Sequence, residues 1–318
     1  MSVKVRFRFH GKCTRHPRYD PNRDGRPADE SCVWHDRNVP PRMNGVDILI
    51  PMMFRIDASV MDAVRPRLIQ QWGSGLEGVD LTAARARNIA VASVATSGSN
   101  AESVAEHAVL LILSLLRGLP QAQANVRSGV LGARMGRMLR GSTVCLWGLG
   151  ATAASLARRL RAFDVKVLGI TRDPAAPKVA SFGLDDCYSV DNHDACLSQT
   201  DILVLCVRLS NETRGMVNAN ILAELREGAY LVNAARGALV DYNALLAALA
   251  SRRLAGAGLD VFWEEPISVN DPLLALPNVI ATPHVAGVTD KSYGEIADAV
   301  TANVERLRLG QPLPNRVA

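Results

Sequence analysis

At 318 residues the chain is too long for one compact core and suits two domains. With 48% hydrophobic and 21% charged residues it has the balance of an ordinary globular protein, and scarce aromatics beside abundant Ala, Val and Leu favour α/β over all-β architecture. The net charge of +5 suits an anionic substrate or cofactor. No basic run is interleaved with aromatics, so no nucleic-acid partner is expected.

In chain order, VKVRFRF at 3–9 alternates apolar with basic, the period of a half-exposed strand. The next stretch, about 10–44, is rich in Pro, Arg and Asp and reads as loop. It holds two C-x-x-H pairs, Cys13 with His16 and Cys32 with His35. Ligand spacing alone is a weak zinc signal, and no metal is expected. The N-terminus lacks an apolar core of signal-peptide length. GVDILIPM, LIQQW and IAVASV supply three strand candidates with helix-like spacers. SNAE at 99–102 matches a capping box, Ser99 as N-cap and Glu102 at N3, opening a long helix. Val104, Ala108, Leu111 and Leu115 form one apolar stripe of that helix; Ala105, Val109, Ile112 and Leu116 form a second. Such a helix is buried, by its own domain or by a partner subunit. Its AVLLILSLL segment is too short to span a bilayer, so no membrane partner is expected.

From residue 141 six strand-like runs alternate with helical segments: TVCLW, VKVLGIT, DILVLCV, AYLVNAA, AGLDVF and VIATPH. This texture predicts a parallel, doubly wound sheet. Cys145 and Cys206 lie inside such runs and read as buried reduced thiols of a cytoplasmic protein. A last helix over about 289–309 carries Ile296, Val300, Val304 and Leu307 on one face and is stopped by Gly310 and Pro312.

TVCLWGLGATAASLARRL places Gly148, Gly150 and Ala153 in the G-x-G-x-x-[GA] spacing between a strand and a helix. The spacing suits a dinucleotide: Gly148 for the tight turn, Gly150 for close approach of a pyrophosphate, Ala153 for helix–strand packing. Leu149 lies within the turn, and the amides of Ala151 and Thr152 face the phosphates at the helix start. The acidic residue that would hold the ribose hydroxyls is absent. The next strand ends in Thr171 and Arg172, which points to a 2′-phosphate and so to NADP over NAD, with Asp173 a partial substitute that keeps NAD possible. Arg236, Glu265 and His284 each follow a strand-like run and therefore fall at the carboxyl edge of the sheet, where ligands bind in open α/β folds. Histidine suits proton transfer to an alcohol or carbonyl oxygen near neutral pH, a carboxylate beside it steadies its charged form, and arginine grips a carboxylate.

The stretches WGSGLEGVDL, NAESVAEHAVLLILSLLR, WGLGATA, NAARGALVD, GAGLDVFWEEP and NVIATPHVAG together resemble the D-isomer-specific 2-hydroxyacid dehydrogenase family, in the manner of its glyoxylate/hydroxypyruvate reductases and phosphoglycerate dehydrogenases, from about residue 45 to the end. The resemblance implies two doubly wound α/β domains: a flavodoxin-like substrate domain from 1–99 and 288–318, and a Rossmann nucleotide-binding domain over 100–287. It implies Arg236, Glu265 and His284 as the catalytic set, and Ser74, Gly75 and Leu76 beside Arg236 as substrate contacts. Ala235, Asp260 and Gly287 are implied as cofactor contacts, Asp260 near the nicotinamide. Also implied are a small 2-oxo or 2-hydroxy acid substrate and a homodimer to which the helix from Asn100 contributes. Two departures stand out: VATSGS at 94–99 is about two residues longer than the common form, and Arg208 replaces a proline beside the adenosine. Arg172 and Arg208 together would flank a 2′-phosphate. An alternative stays open on the same scaffold, a nicotinamide-sensing binding protein of the corepressor type. Met52, Met53, Phe54 and Arg55 follow a strand and are candidates for a cleft that takes a larger or doubly anionic acid.

Overall fold

Short runs of β-branched and apolar residues bounded by polar turns form strands, and the amphipathic stretches between them form helices that cover both faces of the resulting sheets. The computed structural model describes residues 5–7, 46–52, 54–94, 98–132 and 135–318, with Val5–Phe7 described by backbone alone. The two C-x-x-H pairs, Met53 and residues 95–97 of the 94–99 link lie outside the described residues. The chain divides into two compact units, Met1–Ser97 with Asp290–Ala318, and Gly98–Thr289.

In the first unit, β1 (Val5–Phe7), β2 (Ile48–Ile50), β3 (Leu68–Gln70) and β4 (Ala90–Ala92) make a parallel sheet in that order. Alternation along the strands splits their side chains between two cores. Leu49, Ile69 and Val91 face α1 (Ala58–Val64) and α2 (Leu81–Ala86), while Ile48, Ile50 and Leu68 face Ile296 and Val300 of α9 (Asp290–Leu309). Asp57 and Asp80 cap α1 and α2 by accepting main-chain N–H bonds, which is why these short helices start where they do. The buried Asn303 amide of α9 donates to Gln70 Oε1 at 2.7 Å, a polar pair that fixes the register of helix on sheet.

The second unit holds a seven-stranded parallel sheet. Its strands are β5 (Thr143–Trp147), β6 (Lys166–Thr171), β7 (Asp186–Ser189), β8 (Ile202–Leu205), β9 (Ala229–Asn233), β10 (Leu254–Leu259) and β11 (Val279–Ala281). Their order is β11-β10-β9-β8-β5-β6-β7, so the strand order reverses at β5. A reversal of this kind opens a crevice at the carboxyl ends of the strands. Val144, Leu146, Val167 and Val204 pack beneath α3 (Gly98–Arg117) and α5 (Ala151–Arg161). Cys145, Leu168, Leu203, Leu231 and Leu259 pack on the other face with α6 (His193–Leu197), α7 (Ala219–Glu224) and α8 (Tyr242–Ala250). Strand β7 was not foreseen. Its sequence DCYS has no apolar run, because an edge strand needs none.

Two local expectations are corrected. Helix α3 begins at Gly98, so Ser99 lies within its first turn and is not its N-cap. Glu102 does not reach back to the helix start. It accepts from Ser155 Oγ at 2.6 Å and pairs with Arg158 and Arg159 of α5 at 2.6 Å each, so a tertiary clamp has taken the residue that the capping pattern would use. Most of the apolar girth of α3 is covered within its own unit, by the sheet and α5, while Leu110 is exposed. A run of exposed apolar side chains lies further on, at Val126, Val130, Leu131, Met135 and Met138, after or within α4 (Leu119–Arg127). No single helix among the described residues is long and apolar enough to cross a membrane. Cys145, Cys187, Cys196 and Cys206 are free thiols. Burial pushes the Cys206 thiol up to about 12, so it stays protonated.

Candidate active site

The glycine turn follows β5 directly. Gly148 has φ of 95°, and a Cβ there would come within 2.9 Å of the Cys206 main chain, so only glycine fits. Gly150 is different. A Cβ on it would meet nothing within 4 Å, so this glycine keeps open the space in front of the backbone. Gly150 is also the N-cap of α5 and offers no side-chain cap, which leaves the helix-start amides at Ala151 and Thr152 available to an anion. Ala153 is fully buried, as close helix–strand packing requires. The turn therefore fits a dinucleotide pyrophosphate on its own geometry.

On either side of β5 stand the ends of β6 and β8. Thr171 is the last residue of β6, and Arg172 follows it, exposed. Arg208 is exposed three residues beyond β8. Asp173 Oδ1 accepts from the Ala175 amide at 3.2 Å, so its carboxylate is engaged in its own turn. Glu212 was not foreseen. Its carboxyl sits below the usual range because Ser210 and a main-chain amide bond it, and Arg172 adds to the effect.

At the other end of this edge, β9, β10 and β11 are neighbours, and each releases one of the three expected residues. Asn233, buried at the end of β9, builds the turn that presents Arg236. Its Oδ1 accepts from the Ala235 amide at 3.0 Å and its Nδ2 donates to the Arg236 carbonyl at 2.8 Å. A Cβ on Gly237 would lie 2.1 Å from the Phe262 carbonyl carbon, so NAARG needs its glycine to lie against the β10 exit. Arg236 donates to the Ala235 carbonyl at 2.7 Å. Glu265 Oε1 accepts from the Phe262 amide at 2.9 Å, and Oε2 meets His284 Nδ1 at 2.8 Å. Burial raises the Glu265 carboxyl, but His284, the Phe262 amide and the nearby Arg236 charge outweigh it and hold it below the usual carboxylate range. An ionised Glu265 fixes the His284 proton on Nδ1, leaving Nε2 to exchange a proton with a ligand.

His284 has φ of 54°, a left-handed conformation that costs a non-glycine residue energy and must be imposed by its surroundings. Asp260, wholly buried, imposes it. Its carbonyl accepts from the His284 amide at 2.8 Å. Its carboxylate accepts from Thr282 Oγ1 at 2.6 Å, Val285 N at 2.9 Å and Ala286 N at 2.8 Å. Asp260 thus faces the 282–286 loop. Gly287 packs against Asn100, whose Oδ1 would be 2.6 Å from an added Cβ. Sequence reasoning missed Asn233, Thr282 and the Asp260 bonding pattern, because their partners are main-chain groups or side chains far along the chain and leave no spacing signature. Ser74, Gly75 and Leu76 form the turn after β3 in the other unit, Ser74 exposed. Met52 there has φ of 53° and its carbonyl accepts from Gln71 Nε2 at 2.6 Å.

Three comparisons bear on this arrangement. The profile described as D-isomer specific 2-hydroxyacid dehydrogenase, NAD binding domain, matches residues 109–286. The chain is 32% identical over 273 residues to D-3-phosphoglycerate dehydrogenase of Archaeoglobus fulgidus, across 85% of this chain but only 51% of that protein, so it spans about half the length of that relative. It is 31% identical over 302 residues to glyoxylate reductase of Thermococcus litoralis, across 90% of this chain and 89% of that one. Among solved structures, the TT0316 protein of Thermus thermophilus superposes with a TM-score of 0.79 at 33% identity, covering 91% of this chain and 93% of its own. The profile match over residues 109–286, together with 31% identity across 90% of this chain and 89% of the Thermococcus litoralis protein, places the chain in the D-isomer specific 2-hydroxyacid dehydrogenase family, with a nicotinamide-cofactor-binding domain of the NAD type.

Proposed function

We propose that the chain is a reductase of small 2-oxo acids that prefers NADPH and accepts NADH. The carrying observation is the 2.8 Å bond between Glu265 and His284, set at the carboxyl edge of three adjacent strands with Arg236 beside it. The nicotinamide, when bound, supplies or accepts the hydride. Gly148, Leu149, Gly150, Ala151 and Thr152 would hold its pyrophosphate, with Ala235 and Gly287 as further cofactor contacts and Asp260 toward the nicotinamide end. His284 protonates the carbonyl oxygen through Nε2 as the oxygen gains charge, Glu265 stabilises the imidazolium, and Arg236 binds the substrate carboxylate. The NADPH preference rests on the missing acid at Thr171 and on Arg172 and Arg208 either side of the turn. A relative named glyoxylate reductase supports a small 2-oxo acid, glyoxylate or hydroxypyruvate. The exposed Val126, Leu131 and Met135 support a homodimer formed through the arm after α3, and the buried free thiols support a cytoplasmic setting.

The test is oxidation of NADPH and NADH, followed across a panel of 2-oxo acids from glyoxylate to phosphate-bearing ones. Turnover of at least one acid, faster with NADPH, is expected. An enzyme silent toward the whole panel overturns the reading.

A further inference from the structure

Helix α3 meets the His284 loop along one face. Asn100, Ser103 and His107 fall at i, i+3 and i+7, so all three side chains point the same way. Asn100 packs on Gly287. Ser103 Oγ donates to the Ala286 carbonyl at 2.6 Å. His107 Nε2 lies 2.8 Å from Thr282 Oγ1 and 3.5 Å from Asp260 Oδ1.

The direction of these bonds follows from counting protons. Thr282 has one hydroxyl proton, and at 2.6 Å from a carboxylate oxygen it gives that proton to Asp260. Its lone pair must then accept from His107, which therefore carries a proton on Nε2. His107 thus fixes the rotation of the Thr282 hydroxyl, and the hydroxyl in turn helps fix the Asp260 carboxylate that holds Val285 and Ala286. Between these anchors sits His284, in its unfavourable left-handed conformation. A surface pocket of about 340 Å3, lined by Ser103, His107, Leu110, Val285 and Ala286, lies against the loop. Beside the bonds from Asp260, the hydrogen bonds from α3 restrain the loop on that side.

We propose that His107 is a positioning residue for His284, acting through Thr282 and Asp260, and that α3 thereby sets the geometry of proton transfer. The proposal rests on the reading of His284 as the acid–base group. It is tested with His107→Leu, His107→Gln and Thr282→Val in the full chain. His107→Leu should lower kcat roughly 10- to 100-fold, the penalty of a misplacement of about 1 Å at a reacting group, with KM for NADPH unchanged. His107→Gln keeps an N–H that can reach Thr282 and should recover most of kcat. Thr282→Val should mimic His107→Leu, and the double variant should be no worse than either single one.

An independent readout uses histidine-selective 15N labelling. The Nδ1–H resonance of His284, marked by its bond to Glu265, should shift or broaden in His107→Leu and stay in place in His107→Gln. Wild-type kcat in both Leu and Val variants, or equal stability losses in Leu and Gln with kcat intact, overturns the proposal. If the wild type turns over no 2-oxo acid, the functional reading falls separately. The His284 resonance still decides: unchanged in His107→Leu, it overturns the positioning role as well.

Discussion

The two ends of the seven-stranded sheet's carboxyl edge are built on opposite plans. Around β5 and β6 the chain leaves groups open: Gly150 with empty space before it, an uncapped α5, and Arg172 and Arg208 exposed. Around β10 and β11 the supporting groups are committed and His284 Nε2 is left, with both Asp260 oxygens, the Thr282 hydroxyl, the His284 amide and both Glu265 oxygens bonded. Under the proposed function, the difference follows from the task of each end. A phosphate brings its own charge and shape and needs donors left free to meet it. A proton transferred over a fraction of an ångström needs its donor held before the ligand arrives. Helix α3 joins the ends, clamping α5 through Glu102 and gripping the His284 loop through Ser103 and His107.

Perturbing the open end should affect binding and spare the proton-transfer step. Arg172→Asp is expected to weaken NADPH by about 1.5–3 kcal/mol, the cost of losing a bond to a charged group, and to leave NADH within a few-fold. Titrations of both cofactors measure this, and equal losses for the two would show that Arg172 does not meet the 2′-phosphate. A smaller effect is expected where α3 joins the ends. The Glu102 carboxyl is held at about 2 by bonds from Ser155 and Arg159, against an ordinary 4.5. A carboxyl lowered in the folded state stabilises the fold above pH 4.5, and that contribution is lost as pH falls from 4.5 through about 2. The clamp is partly open to solvent, so the contribution is about 1 kcal/mol or less. Urea unfolding at pH 7 and pH 3 should therefore show a shallower acid loss for Glu102→Gln than for the wild type. Identical slopes would mean that the clamp carries no stability.

Much of this was legible in the sequence, for reasons that differ by residue. The glycine turn was readable because steric demands at Gly148 and Ala153 admit few residue types. Arg236, Glu265 and His284 were readable because each follows a buried strand whose apolar run is unmistakable. Strand β7 was not, since the edge of a sheet imposes no apolar pattern on DCYS. Glu102 misled because its spacing from Ser99 satisfies a local rule while its partners lie more than fifty residues away. His107 belongs to no spacing pattern on its helix. Its contact with Thr282, 175 positions along, is visible only in the fold.

The most direct test of the account is single-turnover hydride transfer from NADPH to an accepted 2-oxo acid in the wild type and in His284→Ala. The account predicts a rate lower by about 10²–10⁴, the usual contribution of a positioned acid–base group, with NADPH binding unchanged because the open end of the edge is intact. An unimpaired His284→Ala enzyme would contradict it.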